Sequence, residues 1–141
     1  MRYMLDTDTT SYIMKKNTPQ HKNVLRMVKQ HRPEDIFISS LTVSEIALGM
    51  FKLKNRHPEK HQLLYDHTIR IMVAMNVKNF TGITAWMYGD IRAALQEAGE
   101  DIGVMDCLIA AHAIAEEMVL VTNNLRHFMR IPRLKIENWS S

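Results

Sequence analysis

Three acids and one amide in this chain are placed where oxygen ligands could work on a phosphate: Asp6, Glu45, Asp106 and Asn124. Asp6 ends the apolar run Tyr3-Met4-Leu5, and Glu45 follows the run Ile36-Phe37-Ile38. Asp106 opens an apolar segment, and Asn124 follows Val119-Leu120-Val121-Thr122. Carboxylates that converge repel one another unless a positive charge neutralises them. Mg2+, or Mn2+ in its place, suits such a site, because hard cations prefer carboxylate, amide oxygen and water. A metal held this way activates a water and stabilises charge on a phosphate under attack, so the matching chemistry is phosphodiester hydrolysis. Each residue also has a purely structural use. Asp6-Thr7-Asp8-Thr9 can cap a helix, and Thr42-Val43-Ser44-Glu45 fits a capping box. Asp106 suits a helix dipole, and Asn124 suits a turn.

The elements that must position these residues follow from the spacing of apolar residues. Tyr3-Met4-Leu5, Ile36-Phe37-Ile38 and Met118-Val119-Leu120-Val121 read as buried strands. Leu134-Lys135-Ile136 reads as a late edge strand, and Asn76 to Phe80 is ambiguous. Thr42 to Lys54 repeats Val43, Ile46, Ala47 and Met50 at helical spacing. Pro58 to Met75 does the same with Leu63, Leu64, Ile69 and Met72, and Ala85 to Ala98 stops at Gly99, a plausible C-cap. Val104 to Glu117 is apolar on most sides and is predicted to be buried. Strands separated by helices imply an α/β fold with a mostly parallel central sheet flanked by helices. Such sheets carry their sites beyond the carboxyl ends of the strands, where all four residues fall.

The 141 residues suit a single domain, 1–141, with no visible linker. Hydrophobic residues make up 46% and charged residues 23%, the balance of a globular protein. No apolar run approaches a membrane span. Asp6 arrives before a signal-peptide core could form, which points to the cytoplasm. The single Cys107 excludes an intrachain disulfide and a cysteine-rich zinc site. The net charge is only +3, but cations gather at Lys52, Lys54, Arg56 and Lys60, and again at Arg126, Arg130, Arg133 and Lys135. Phosphate backbones attract such stretches, although an ordinary solvated surface also carries them.

Five segments, in order, carry a family resemblance. Met4-Leu5-Asp6-Thr7-Asp8 resembles the opening motif of VapC-type PIN domains, and Ser39 to Gly49 (SSLTVSEIALG) resembles the second. Asp106-Cys107-Leu108-Ile109-Ala110-Ala111-His112-Ala113 resembles the third, and Leu120 to Pro132 (LVTNNLRHFMRIP) the fourth. Glu137-Asn138-Trp139 is similar to the usual ending. The resemblance implies a PIN fold and a toxin of a type II toxin–antitoxin system. It implies an Mg2+-dependent endoribonuclease that cuts structured RNA, often a tRNA, is inhibited by a VapB antitoxin, and forms a homodimer. By matching position it implies metal or catalytic roles for Asp6, Glu45 and Asp106, with Asn124 orienting a water. The fourth position is often Asp in the family, so Asn124 removes a negative charge. Thr122 matches a hydroxyl-bearing position beside the site, and Asp8 stands where Asn is common. Arg133 stands where members often carry Gly, a change confined to a turn. Asp90 and Asp101 match nothing catalytic. Arg126 and Arg130, just past the fourth motif, are candidate RNA contacts.

Several other residues have mainly structural readings. His112 lies on a nearly apolar helix and reads as a packed or interface histidine, and Cys107 as a small buried residue. Met27, Met50, Met72 and Met75 fill core gaps or line an adaptable surface for an antitoxin helix. Trp86 and Tyr88 could stack on bases, with Trp86 expected to pack a helix onto the sheet. Two rival functions stay open at this point. Asp6-Thr7-Asp8-Thr9-Thr10 satisfies the DxDx[TV] pattern of haloacid dehalogenase-type phosphatases, with Asp6 as nucleophile. That reading lacks a downstream acidic motif, because past Thr122 the sole acid is Glu137. The other rival is a non-catalytic RNA-binding PIN domain.

Overall fold

A computed structural model describes residues 1–141. Five strands form one sheet: β1 (Tyr3–Leu5), β2 (Ile36–Ser39), β3 (Asn76–Lys78), β4 (Val119–Val121) and β5 (Ile136–Glu137). Their order is β3-β2-β1-β4-β5, and every pairing is parallel. Seven helices surround it: α1 (Thr7–Met14), α2 (Pro19–Lys29), α3 (Ser40–Arg56), α4 (Pro58–Val73), α5 (Gly82–Glu97), α6 (Val104–Ala115) and α7 (Leu125–Phe128). The expected α/β architecture is therefore present. The chain leaves β1 toward β2 and β3 on one side, and β4 and β5 lie on the other. This reversal makes the carboxyl ends of β1 and β4 the natural crevice of the sheet. No helix is long and apolar enough to cross a membrane.

Period-two alternation sorts the strand side chains onto two buried faces. Met4 and Leu120 enter one core with Ile91, Leu95, Ile109 and Phe128. Tyr3, Leu5, Ile36, Ile38, Val119 and Val121 enter the other with Val24 and Trp139. Trp139 closes the second core: its ring lies 4.8 Å from the His31 ring and nearly parallel to it, and its Nε1 donates to Glu137 Oε2 at 2.8 Å. As expected, α6 is largely buried, at Cys107 and from Ile109 through Ala113.

Local signals explain most boundaries. Pro19 and Pro58 open α2 and α4 at a position that needs no N–H donor. Gly99 adopts φ +69° just past α5, where Gly99 N–H bonds Gln96 and Glu100 N–H bonds Leu95, the double closure that favours glycine. α1 is mostly polar and is not announced by apolar spacing, whereas α2 carries Val24, Met27 and Val28 at helical spacing within a polar segment. Asp6 and Thr18 start them through side-chain caps.

The stretch Asn76 to Phe80, ambiguous in the sequence, contains a true strand, Asn76–Lys78, paired with β2. Three expectations need correction. The last strand is displaced to Ile136–Glu137, because Leu134 packs against the core while Leu120 N–H bonds Lys135 O at 2.8 Å. The cap of α3 is Ser39 rather than Thr42: Ser39 Oγ accepts from Leu41 N–H at 3.0 Å, and Thr42 is fully buried. Glu45 therefore lies in the second turn and makes no capping box. Trp86 does not pack onto the sheet; it is 86% exposed, beside Ile83 at 76% on the same face of α5.

Arg133 adopts φ +69° in the turn before β5, and Glu117 adopts φ +55° before β4. A side chain in this region costs about 1–2 kcal/mol. Glycine's extra chain entropy offsets roughly 0.5–1 kcal/mol of that gain. Arg133→Gly should therefore stabilise the fold by about 0.5–1 kcal/mol, read as a higher urea midpoint at unchanged slope. A lower midpoint would mean that the Arg133 side chain contributes more than its backbone costs.

Candidate active site

Asp6 directly follows β1 and is the cap of α1. Its backbone N–H continues the ladder to Val121 O at 2.9 Å, and its Oδ1 accepts from Thr9 N–H at 2.9 Å. Thr9 and Thr10, both buried, bind Val121 O and Asp6 O, so this turn is tied to β1 and β4 at once. Asp6 is only 7% exposed. Burial pushes its carboxyl above the usual carboxylate range, while hydrogen bonds from Thr122 and Thr9 and the nearby charge of Asp8 act in smaller measure. All its hydrogen-bond partners are neutral, so its charge has no countercharge in the chain.

Glu45 reaches this crevice from α3. Its Oε1 accepts from the Thr7 hydroxyl, which also meets Thr42 Oγ1 at 3.3 Å. The start of α3 is set by Ser39, whose Oγ also meets the buried His112 Nδ1 at 2.8 Å. Ser39 Oγ already accepts the Leu41 N–H, so its own proton is free for the imidazole. Burial holds the His112 imidazole below its ordinary pKa. His112 is thus a packed histidine linking α6 to β2, as its apolar helix implied.

Asp106 stands in the first turn of α6, half-buried. Its Oδ2 lies 3.2 Å from His127 Nδ1, and that nitrogen lies 2.8 Å from Asn124 Nδ2. One ring nitrogen cannot accept from an amide and donate to a carboxylate together. With its proton given to Asp106, the Asn124 amide turns its oxygen toward the same ring. Asn124 N–H bonds Thr122 Oγ1 at 3.0 Å, and Thr122 is close enough to Asp6 to lower its carboxyl pKa in part. A polar chain therefore runs Thr122–Asn124–His127–Asp106, with Thr122 beside Asp6, and a second runs from Thr7, next to Asp6, to Glu45.

The four chosen residues share one edge of the sheet, but their side chains are not gathered around a point. No three His, Cys, Asp or Glu side chains stand at metal-ligand spacing. Thr7 holds Glu45 and His127 holds Asp106. His127 and Thr7 are the functional neighbours that motif reading missed. A signal existed for both: His127 lies one helical turn from Asn124, and Thr7 adjoins Asp6. Asp8, Arg126 and Arg130 are exposed around this edge, and neither arginine is ion-paired. Asp101 is structural. Arg92 donates to both its oxygens and holds its carboxyl down at about 2, and Gly103 N–H bonds it at 3.1 Å. This clamp shapes the loop from which α6 presents Asp106.

The site's donors are oxygens around a buried, uncompensated carboxylate, which fits a hard divalent cation. Folding raises the Asp6 pKa, so its contribution to stability is fully present below the ordinary carboxylate range and is lost as pH rises through the raised value. Asp6→Asn keeps the cap and removes the charge. In EDTA at neutral pH the variant should melt a few degrees above the parent, and its melting temperature should vary less with pH across the acid range. An equal or steeper pH dependence would show that Asp6 is not a burdened charge.

The sequence profile of the PIN domain matches residues 3–134. Ribonuclease VapC2 of Rickettsia felis is 37% identical over 139 residues, covering 99% of this chain and 98% of that protein. The tRNA(fMet)-specific endonuclease VapC of Salmonella typhimurium is 34% identical over 139 residues, with the same coverage of both chains. Among solved structures, VapBC2 of Rickettsia felis bound to a promoter DNA fragment superposes with a TM-score of 0.82 at 34% identity, covering 99% of both chains. VapBC-1 of nontypeable Haemophilus influenzae superposes with a TM-score of 0.84 at 29% identity, over the full length of both. Acids at the β1/β4 crevice of a parallel sheet and full-length similarity to these relatives agree: the chain belongs to the PIN-domain family, among its VapC ribonucleases.

Proposed function

We propose that the protein is the toxin of a type II toxin–antitoxin pair, a cytoplasmic endoribonuclease in which residues 1–141 act as one PIN domain. Its substrate is structured RNA, in the first place tRNA, and its inhibitor is a VapB-type antitoxin. The observation that supports this most is the Asp6 carboxylate, buried without a countercharge at the carboxyl end of β1. Asp6, Glu45 and Asp106 would hold Mg2+, or Mn2+ in its place, which when bound supplies Lewis acidity to a water and to the scissile phosphate. Thr9 and Thr122 preorient Asp6. Release of Glu45 from Thr7, and of Asp106 from His127, frees both for the cation. Asn124, an amide where many relatives have an acid, orients a water without adding repulsion toward RNA. Arg126 and Arg130 contact the RNA backbone. Unpaired loops suit this open edge, since their phosphates and bases are splayed outward.

The partner surfaces fit the same reading. α3 and α4 enclose an apolar groove of about 140 Å3 lined in part by Val43, Ile46, Met50, Phe51, Tyr65 and Met72. Leu48, Leu63 and Ile69 are exposed on these helices, although helical spacing had suggested core positions for the latter two. An amphipathic antitoxin helix has its apolar stripe covered there. Ile83 and Trp86 offer a separate apolar contact for a second copy of the chain. The phosphatase reading fails on Glu137, the sole acid past Thr122, which is occupied by the Trp139 indole.

Total bacterial tRNA incubated with the protein and Mg2+ or Mn2+ should yield discrete fragments. EDTA should abolish them, and Asp6→Asn should slow cleavage by at least about 100-fold. Divalent cation should raise the parent's melting temperature and leave that of Asp6→Asn unchanged. Cleavage by the variant at the parent's rate would remove Asp6 from the mechanism. Trp86→Glu should shift the free protein toward the monomer in size-exclusion chromatography while tRNA cleavage by the monomer persists. An unchanged elution volume would place self-association elsewhere.

A further inference from the structure

From Thr9 to Pro33 the chain contains no acid, yet it carries Lys15, Lys16, Lys22, Arg26, Lys29 and Arg32. Six cations in one segment exceed the net charge of the whole chain, +3. Arg32 is neutralised by Glu34 and Asp35. The other five are exposed and make no ion pair. Lys22, Arg26 and Lys29 recur at helical spacing on the solvent face of α2, away from buried Val24 and from Met27 and Val28 on the core side. They extend about 10 Å along the helix. Lys15 and Lys16 continue the stripe through the α1–α2 turn, where a shallow groove is lined by Lys16, Asn17, Thr18, Lys22 and Asn23 without an acid. Like charges held this closely repel, and a polyanion relieves that repulsion.

The stripe begins near the catalytic edge. Asn123, adjacent to Asn124, donates to the Tyr12 hydroxyl at 3.1 Å, and the Tyr12 carbonyl lies 2.8 Å from His21 Nδ1 in the first turn of α2. The far end of α2 lies at the opposite edge, where His31 stacks on Trp139 and meets Tyr3, at the start of β1, edge-on. No large hydrophobic residue is exposed between Arg2 and Ala47. A lipid surface or an amphipathic protein helix would need such anchors, and a phosphate backbone does not.

We infer that the Lys15–Lys29 stripe is the docking track for the sugar–phosphate backbone of the RNA arm flanking the cleaved loop. This rests on the endoribonuclease reading and adds a determinant of substrate class: the protein favours RNA with a structured arm over a bare single strand. The test uses the full chain carrying Lys22→Gln, Arg26→Gln and Lys29→Gln together, with unchanged thermal melting as the folding control. Bulk tRNA binding is followed by fluorescence anisotropy in EDTA across a salt series, and cleavage is followed on tRNA and on a short single-stranded oligoribonucleotide. The triple variant should bind tRNA about 10-fold more weakly, and its log–log salt slope should fall by about 2 to 3, at roughly 0.7–0.9 per lost phosphate contact. Cleavage of the short oligoribonucleotide should be unchanged. The charge-keeping set Lys22→Arg, Arg26→Lys and Lys29→Arg should restore tRNA binding. Unchanged tRNA affinity and slope would overturn the track while leaving the nuclease intact, as would equal losses on tRNA and oligonucleotide. Weakened tRNA binding by the triple variant, with no RNA cut by any form, would keep the track and remove the nuclease reading.

Discussion

A carboxylate placed inside a protein must be hydrogen-bonded and neutralised, or it resists ionisation. Asp6 is placed that way by the pairing of β1 with β4, which brings its backbone into the sheet ladder and its side chain into the crevice. The surrounding structure supplies hydrogen bonds from Thr9 and Thr122 but no positive charge. Half of the requirement is met by the fold and half is left to a cation. The same turn caps α1, so the charge cannot be moved without disturbing the first helix.

The remaining acids are held less firmly, which suits their reach across the crevice. Glu45 rests on Thr7 and Asp106 rests on His127, each through a partner that can be exchanged. Their backbones are rigid. α3 is pinned where Ser39 meets His112, and the start of α6 is pinned where Asp101 clamps Arg92 and Gly103. Backbones anchored at both places, with exchangeable side-chain partners, would let the acids regroup at little cost around the cation of the proposed mechanism.

Two surfaces of opposite character flank this edge. The α3–α4 pair leaves apolar side chains in solvent, and α2 leaves cations unpaired. Neither arrangement favours the isolated chain, since one exposes apolar area and the other accumulates repulsion. Both become favourable once covered, the first by an apolar helix and the second by phosphates. On the proposed function, inhibition and substrate docking would use separate chemistry around one edge of the sheet.

The residues of the site were legible in the sequence because the acids end apolar runs, and in a parallel sheet strand ends are where sites form. Strands β1, β2 and β4, the buried α6 and the Gly99 stop were legible for the same reason: apolar periodicity and glycine chemistry act over a few residues. α1 escaped because a short polar helix is held by its cap and tertiary contact, which periodicity does not record; α2 did carry a periodic signal in Val24, Met27 and Val28, brief and diluted by the polar residues around it. Trp86 was misplaced because an aromatic residue at helical spacing looks the same whether its face meets the sheet or solvent. The sequence by itself determined where the acids stand along the chain and which family's order of motifs they follow. Only the tertiary structure decided that Asp6 is buried without a countercharge, that Thr7 and His127 hold its partner acids, and that α2 bears an unpaired cationic face. Burial, neighbours across the sheet and the side of a helix left uncovered all depend on contacts between segments far apart in the chain.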